Sequence, residues 1–369
     1  MMWLGILGVV LLLAVGGAAF LMNRALRFWF PKKIYAKNRW LGILSSAWPI
    51  AVCLPFLFVG VFAFVIAFIH LFVIWALTDV IAWAIRKLAK WERTARYLCG
   101  FIALAITAVY LCYGWIMAHT VLETDYRLVT EKATGQDTFR AVALADLHAG
   151  VTLDGDAFAE QCQRINDTHP DIVLVCGDFV DDDTSREDMI KSCAALGTLK
   201  PKYGVYFVYG NHDRGYFRSK TFSPEEFYNQ LVANNVKVLS DEVVAITEEL
   251  FLVGREDGSV RDRKSAAELM AGIAPSKYVI VMDHQPNDYD ALAESAPDLV
   301  ISGHTHGGHV FPAGQIGLLM GANDALYGLE ERGDTSFVVT SGISGWAIPF
   351  KTFTVSEFVV IDIAQSVVG

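Results

Sequence analysis

Acidic side chains are almost missing from the first 118 residues. Only Asp79 and Glu92 occur there, against eleven Lys and Arg residues, whereas the rest of the chain carries 38 acidic and 19 basic residues. A part with that acidic excess repels a nucleic-acid backbone, which disfavours a nucleic-acid substrate or partner. The chain therefore divides into a basic, apolar N-terminal part and an acidic C-terminal part.

Cysteine pairs of the Cys-x-x-Cys type are also absent. This excludes a zinc knuckle and gives no sign of a disulfide framework. We expect the cysteines to be small buried hydrophobic side chains instead. There are six of them, spread along both parts: Cys53, Cys99, Cys112, Cys162, Cys176 and Cys193.

Long apolar runs fill the first 118 residues. A bilayer core needs roughly 20 apolar residues per helix. The runs predict an all-α transmembrane region of about four helices, at about 2–22, 41–61, 64–85 and 97–117, with a tight hairpin near 55–60. A linker over 119–137 is expected to lead to a C-terminal domain over 138–369.

No basic stretch precedes the first apolar run, which favours a retained helix over a cleaved signal peptide. Two short basic loops, 24–39 and 86–96, are expected to stay in the cytoplasm. Two helices between them place both loops on the same side, and the fourth helix then carries the chain out again. The sequence therefore predicts a multi-pass protein of the cell membrane with an extracytoplasmic C-terminal domain.

Two ionisable residues interrupt the apolar run between residues 40 and 85, namely His70 and Asp79. Ionisable groups at membrane depth often mark functional sites. Because Asp79 lies near the end of its predicted span, hydrogen bonds between helices or a place at the interface are favoured over an intramembrane site.

Short β-branched runs alternate with helical stretches after residue 138, which predicts an α/β fold. A mixed sheet, or two packed sheets, with helices outside fits this pattern. Ser223 before Pro224 and two acids is a helix start. The predicted helices are 156–168, 186–199 and 224–234, and the predicted strands are 140–145, 172–176, 205–209, 236–239, 243–246, 251–253, 278–282, 298–302, 337–340 and 358–363.

Five short polar motifs directly follow predicted strands. Ligands of α/β folds bind beyond the carboxyl ends of strands, so this placement matters as much as the residue types. A single Asp-x-His or a lone His would more often be structural, but the ordered set indicates one common site. The motifs are Asp146-Leu147-His148, Gly177-Asp178-Phe179-Val180-Asp181, Gly210-Asn211-His212-Asp213, Asp283-His284 and Gly303-His304-Thr305-His306.

The side chains of these motifs suit a divalent metal centre. Carboxylate, imidazole and amide oxygen ligands match manganese, iron or zinc. Two such ions roughly 3.5–4 Å apart can share a carboxylate and a hydroxide, and together stabilise an in-line phosphoryl displacement.

The ordered set resembles the calcineurin-like metallophosphoesterase superfamily over roughly residues 138–363. It is most similar to the bacterial membrane-attached branch, in which an apolar region precedes the catalytic domain. The resemblance implies a two-sheet sandwich flanked by helices. It also implies the ligands of two metal ions: Asp146, His148 and His306 for the first, Asp178 bridging both, and Asn211, His284 and His304 for the second.

The resemblance further implies a catalytic role for His212, as the residue that protonates the leaving-group oxygen or stabilises the charge there. Asp181 is then expected to orient His212. An imidazole suits this task because its pKa is near neutrality and a carboxylate partner fixes its tautomer.

Three positions depart from the pattern of the superfamily. The Asp-Arg-Gly sequence of its Ser/Thr protein phosphatases is missing, since Asp181 is followed by Asp182 and Asp183; that activity is disfavoured. His309 stands where relatives often carry Gln, as an extra proton donor or a surface variant. Lys351 stands where relatives often carry Arg, and would meet a phosphate as a point charge rather than a bidentate fork.

The leading hypothesis is a membrane-anchored hydrolase of phosphate esters or pyrophosphates. A lipid-linked or envelope substrate is favoured because the anchor holds the site near the membrane. Two alternatives stay open: a tethered nucleotide phosphodiesterase, and a binding or receptor module of the membrane without turnover.

Overall fold

The computed structural model describes residues 2–90, 97–215 and 221–366, with side chains from residue 14 onward. It divides into two compact units, 1–113 and 114–369. Arg93 and Arg96 of the second predicted basic loop lie outside the described residues. All six cysteines are free, and all but Cys112 are buried, as small apolar side chains are expected to be.

The N-terminal unit is helical. Three stretches of the described residues are long and apolar enough to cross a membrane: Arg39–Phe58, Val61–Ala89 and Cys99–His119. The first of these is broken, because Pro49 and Pro55 each begin a new helical segment within it. The helices are α1 (Met2–Ala25), α2 (Trp29–Lys37), α3 (Arg39–Ser45), α4 (Trp48–Cys53), a 3-10 turn (Leu54–Phe58), α5 (Val61–Ala89) and α6 (Cys99–His119), whose last turns belong to the second unit.

Asp79 on α5 is tied to its surroundings by polar contacts. Its carboxylate accepts a hydrogen bond from Tyr97 Oη at 2.7 Å and pairs with Arg24 at 2.5 Å. Tyr97 in turn accepts from Trp75 Nε1 at 2.8 Å. Asp79 thus links different parts of this unit, the structural role favoured over an intramembrane site.

Twelve strands of the second unit form two six-stranded mixed sheets. The first sheet has the order β1-β12-β2-β3-β4-β5 and the second the order β10-β11-β9-β8-β7-β6. The strands are β1 (Val121–Thr130), β2 (Thr138–Leu144), β3 (Ile172–Cys176), β4 (Val205–Val208), β5 (Val236–Leu239), β6 (Glu242–Ala245), β7 (Leu250–Gly254), β8 (Tyr278–Met282), β9 (Leu299–Ser302), β10 (Gly328–Arg332), β11 (Thr335–Val339) and β12 (Ser356–Gln365).

Alternate side chains of the strands fill separate apolar layers. Leu174 of β3 and Ile280 of β8 belong to one cluster between the sheets, while Val175 packs outward with Phe158 and Phe227. A third cluster lies under the helices of the second sheet. The predicted two-sheet sandwich flanked by helices is confirmed. Its helices are α7 (Gly155–Asp167), α8 (Arg186–Leu196), α9 (Pro224–Ala233), α10 (Ala266–Met270), α11 (Tyr289–Ser295) and α12 (Ala313–Leu319).

The segment for which the sequence predicts a linker, 119–137, contains β1. This strand runs parallel to β12 over ten residue pairs, from Val121–Ser356 to Thr130–Gln365. Most of its side chains are exposed or half-buried, because it lies at the edge of its sheet. The buried β-branched run by which the other strands were predicted is therefore missing from it.

Candidate metal centre

Five strand ends from both sheets bring the polar motifs together. The parallel strands β2, β3 and β4 carry the first three motifs, and the parallel strands β8 and β9 carry the other two. Several motif residues have a left-handed backbone that residues other than glycine rarely adopt. Such strain collects at functional sites. It is found at Asp146, His148, Asp178, His304 and His306.

Asp146, His148 and His306 form the first of two groups that could hold a metal ion. One ligand atom from each lies within 4.8 Å of the others, and all three side chains are buried. The Asp146 carboxylate also accepts the backbone N–H of His304 at 3.0 Å. That hydrogen bond joins the end of β2 to the end of β9 and fixes the direction of the carboxylate.

The facing imidazoles of this group show that it fits a cation. His148 Nδ1 contacts Asp181 at 3.2 Å, and His306 Nδ1 lies 3.3 Å from the Ser344 carbonyl oxygen. With the proton of each ring on Nδ1, the two Nε2 atoms present their lone pairs to each other at 3.2 Å. Two imidazole lone pairs that close need a proton or a metal ion between them.

Asp178, His284 and His304 form the second group, also within 4.8 Å of one another. His284 Nδ1 donates to the Cys176 carbonyl oxygen at 2.7 Å. This leaves Nε2 unprotonated toward the group, and a metal-ligating histidine is commonly held in this way.

Asn211 carries the amide oxygen that is expected as a further ligand of the second group. Its side-chain Oδ1 atom is buried and has no hydrogen-bond partner within the described ranges 2–90, 97–215 and 221–366. A buried acceptor without a partner costs free energy unless something binds it. An amide oxygen in this position fits a metal ligand, as the sequence predicts.

Asp178 lies between the two groups. Its Oδ2 atom is 3.2 Å from His284 Nε2 and 3.8 Å from His148 Nε2, while Oδ1 accepts the backbone N–H of His212 at 2.8 Å. One carboxylate oxygen thus faces a nitrogen ligand of each group. This geometry suits the bridging role expected for Asp178.

The pKa values of the two central carboxylates are shifted in opposite directions. Burial raises the pKa of Asp146 to about 6, although the charge of His284 opposes the shift. Burial acts in the same sense on Asp178, but the charge and hydrogen bond of His284 outweigh it and hold the pKa of Asp178 well below its usual range. Asp178 is therefore the carboxylate best kept ionised by its surroundings.

His212 lies at the edge of the group and is half-buried. Its ring is 5.2 Å from that of His148 and 5.4 Å from that of Trp346, centre to centre. Burial lowers the pKa of His212, while the charges of Asp178 and Asp181 oppose the shift. The imidazole is placed where it can reach a group bound at the two ligand sets.

The carboxylate of Asp181 contacts a residue that the sequence analysis did not expect. Its carboxylate contacts Nδ1 of His148 at 3.2 Å and accepts the backbone N–H groups of Asp183 and Thr184 at 2.9 and 3.1 Å. Asp181 is thus placed to orient a candidate metal ligand, His148; that it orients His212 stays a prediction. The order of residues along the chain does not show which of two neighbouring imidazoles a carboxylate meets.

Asp213 has a role that the sequence analysis missed. Its buried carboxylate accepts four backbone N–H groups, at 2.8–3.1 Å. It thereby fixes the turns that carry Asp178 and Asn211. The motif Gly-Asn-His-Asp pointed to a functional role for this residue. The sequence does not show that its partners are backbone groups. The donors are Asp178, Phe179, Val180 and Gly210.

Two glycines allow these turns to touch. A Cβ atom on Gly177 would lie 2.4 Å from the backbone N of Gly210, and one on Gly210 would lie 2.2 Å from Asp178 Oδ1. Both contacts are too short for any other residue, so glycine is required at both positions.

A pair of arginines behind Asp283 was also missed: Arg255 is buried and Arg263 is half-buried. Arg255 and Arg263 contact its carboxylate at 2.7 and 3.1 Å, and Asp283 itself is fully buried. The pair neutralises the acid that precedes His284 in the chain. Neither arginine belongs to a strand-end motif, so the sequence gave no reason to choose them.

Lys351 and His309 take structural positions. Lys351 is fully buried, and its ammonium donates to the carbonyl oxygens of Ser341 and Gly342 at 2.6 and 2.9 Å. It therefore holds the turn beside Asp146 and does not reach an incoming phosphate. His309 Nε2 donates to the Ile348 carbonyl oxygen at 3.0 Å, and burial lowers the pKa of His309 to about 3. The ring of His309 is thus engaged by the backbone of its own domain.

The comparison with known proteins agrees with this geometry. The family model described as calcineurin-like phosphoesterase matches residues 139–308. Residues 139–308 therefore match a calcineurin-like phosphoesterase domain. All nine predicted site residues of the metallophosphoesterase domain except one, His212, supply or orient a candidate metal ligand.

The relatives that match the chain are named as metallophosphoesterases, and one of the three described next is named as a transmembrane protein. A transmembrane protein with metallophosphoesterase domain from Danio rerio is 30% identical, over 72% of this chain and 62% of that protein. An uncharacterized metallophosphoesterase from Helicobacter pylori is 32% identical, over 59% and 58%. The chain thus spans about three fifths of the length of these relatives. An uncharacterized metallophosphoesterase from Campylobacter jejuni is 24% identical over 90% of this chain and 84% of that protein.

Proposed function

We propose that the protein is a membrane-anchored, metal-dependent hydrolase of phosphate esters or pyrophosphates. The observation that carries this proposal is the position of Asp178 between two complete ligand groups, with Oδ2 at 3.2 Å from His284 and 3.8 Å from His148. A binding module without turnover would not need two adjoining groups joined by one carboxylate.

Two divalent ions, manganese, iron or zinc, are the proposed cofactors. The first would be held by Asp146, His148 and His306, and the second by Asn211, His284 and His304, with Asp178 shared. Bound there, the ions supply an activated water and neutralise charge on the phosphoryl group. The ligand set of carboxylate, imidazole and amide oxygens does not choose among the three metals.

The remaining steps of the reaction depend on side chains of the protein. Hydrolysis forms one new P–O bond from water and breaks the P–O bond to the leaving group, which then needs a proton. His212 supplies that proton to the leaving-group oxygen or stabilises the charge that develops there. A phosphate anion beside the imidazole raises its pKa again, because an opposite charge favours the protonated form. Asp181 has a positioning role, because its contact with His148 fixes the orientation of that ring.

The proposed substrate is lipid-linked or part of the cell envelope, and the proposed position of the domain is extracytoplasmic. The apolar helices support membrane attachment, and the excess of basic residues in the two predicted loops supports the orientation. An acidic C-terminal part, with 38 acidic and 19 basic residues after residue 118, disfavours nucleic acid.

The test uses the purified full chain in detergent, stripped of metal by a chelator and resupplied with manganese, iron or zinc. Turnover of chromogenic phosphate mono- and diesters, and of a panel of envelope phospholipids and lipid-linked sugars, is then measured. We expect turnover that depends on added metal and is lost in Asp178→Asn. Metal binding at both sites without turnover of any ester would overturn the proposal in favour of a binding module.

A further inference from the structure

An exposed apolar surface lies beside the metal centre of this acidic domain. Residues 299–323 contain no Asp, Glu, Lys or Arg, and Lys351, the one charged residue in 335–356, is fully buried. Large exposed apolar surfaces mark contacts with proteins or membranes. We name this one the rim surface; its side chains, 42–87% exposed, are Phe311, Ile316, Leu319, Met320, Trp346 and Phe353.

Two loops and α12 form the rim surface together. The rings of Phe311 and Phe353 stack with their centres 6.3 Å apart, and the Phe311 N–H donates to Thr352 Oγ1 at 3.0 Å. At the start of α12 the backbone of Gly314 lies against that of Gly308: a Cβ atom on Gly314 would be 2.3 Å from Gly308 Cα. The surface is therefore held in place by contacts within the domain.

The rim surface reaches the metal centre on one side. Trp346 places its ring 5.4 Å from that of His212. On the other loop, His309 stacks on the candidate ligand His306 with ring centres 5.2 Å apart. A molecule seated on the rim surface therefore has its polar end beside the ligand groups.

The rim surface also reaches the end of an apolar helix. Within the second unit, the Lys351 N–H donates to the Gly114 carbonyl oxygen at 2.9 Å, and Phe350 meets Trp115 edge-to-face at 5.6 Å. Gly114 lies five residues before the end of the candidate span Cys99–His119. At 1.5 Å per residue, that is about 7 Å inside the helix end. The loop that carries Phe353 thus lies at the level of the last turns of the span.

We propose that the rim surface is seated in the interface of the lipid bilayer and that the substrate phosphate belongs to a membrane lipid, a refinement that rests on the proposed function. The rim surface is continuous with the end of the candidate span Cys99–His119, so the bilayer is the partner that we expect it to contact. Trp side chains such as that of Trp346 are enriched at the membrane–water interface, and exposed Phe, Leu and Trp side chains bury into the boundary between headgroups and acyl chains. A lipid in the leaflet presents its phosphate to His212 without leaving the membrane.

Membrane contact is tested by a spin label on the full chain in lipid vesicles. The exposed Cys112 is first replaced by Ser, and a label is placed at Leu319→Cys or, as the matched control, at Val232→Cys on α9, which is 47% exposed. We expect the label at 319 to be reached by oxygen and shielded from a water-soluble nickel chelate, and the label at 232 to show the reverse. Equal access of the chelate to both labels would overturn the proposal.

Lipid specificity is tested with a double variant, Leu319→Glu with Met320→Glu, and a control, Tyr228→Glu with Val232→Glu. Substrates are vesicles containing phosphatidic acid or phosphatidylglycerol, and a soluble nitrophenyl ester. We expect the rim variant to lose at least about tenfold on the lipids, with the soluble ester unaffected, and the control to lose nothing. An equal loss on both substrates overturns the lipid assignment.

Two further outcomes separate this inference from the proposed function. A shielded label at 319 in a metal-loaded protein that hydrolyses no ester overturns the proposed function and leaves membrane contact standing. Hydrolysis of the soluble ester with no turnover of either lipid overturns the lipid assignment and leaves the phosphoesterase activity standing.

Discussion

Asp178 Oδ2 lies 3.2 Å from His284 Nε2, while the other oxygen of the same carboxylate accepts the backbone N–H of His212. One side chain thereby fixes a candidate metal ligand and the start of the segment that carries the catalytic candidate. The effects of changing Asp178 should therefore spread across the whole metal centre.

Asp178→Asn is expected to remove metal more severely than any other single ligand change. The shared carboxylate supports both ions and offsets their mutual repulsion. Metal content per protein measured by mass spectrometry checks this, with Asp183→Asn, an exposed neighbouring acid, as the control. Two ions still bound with full activity would refute the bridging role.

His212→Ala is expected to keep the metal and to slow turnover by roughly 10²–10⁴-fold, the usual contribution of a general acid. The loss should be largest for esters with poor leaving groups, because nitrophenolate needs little protonation. Rates on both kinds of ester check this. Equal losses would show that His212 positions the phosphate, and unchanged rates would remove it from the mechanism.

Asp181→Asn is expected to weaken metal binding, because its carboxylate contacts His148 at 3.2 Å. Loss of such an orienting partner typically costs about 10–100-fold in metal affinity or activity. Competition with a chelator measures the affinity. Two results together would contradict this assignment: Asp181→Asn binds metal as tightly as the unchanged protein, and it loses most activity on esters with poor leaving groups, as His212→Ala does. Asp181 would then act through His212.

Asp213→Ala is expected to lower the free energy of unfolding by at least about 2 kcal/mol, because four buried backbone N–H groups lose their acceptor. Thermal unfolding of the detergent-solubilised chain checks this. Asp188→Ala removes a less buried cap carboxylate and serves as the control. A loss no larger than that of the control would contradict the role given to Asp213.

A reporter fused to the C-terminus should be active only outside the cytoplasm. The two basic loops, 24–39 and 86–96, motivate this expectation, since short basic loops are retained inside. Matched reporters that work on one side of the membrane only measure the orientation. A signal from the cytoplasmic reporter would overturn the proposed localisation.

The candidate metal ligands could be predicted because their signal is local. Asp146 and His284 each follow a buried β-branched run, and the carboxyl ends of parallel strands meet at one edge. The partner of Asp181 could not be predicted, because two imidazoles compete for it across the fold. The role of Asp213 could not be predicted because its partners are backbone groups. The position of Lys351 could not be predicted for the same reason, since it donates to the backbone carbonyl oxygen of Ser341.

The fold shows the same division between local and distant signals. The strands β3 and β8 have the bounds that the sequence predicts, since both faces are buried and their runs are uniformly apolar. The edge strand β10, Gly-Leu-Glu-Glu-Arg, and the short helices α10 to α12 carry no such pattern. Their places are set by neighbouring strands and loops.

The pairing of β1 with β12 decides where the two-sheet unit can be separated from α6. Thr120 alone stands between the end of α6 and the start of β1, so this candidate membrane span leads directly into the sheet. A fragment starting at residue 138 would lose all ten pairs of β1 and leave β12, a long and largely buried strand, as an open edge. Open apolar edges recruit other chains. The two-sheet unit and the candidate span α6 are thus joined directly through a strand of the sheet, and a cut that removes this strand also exposes the edge of the unit.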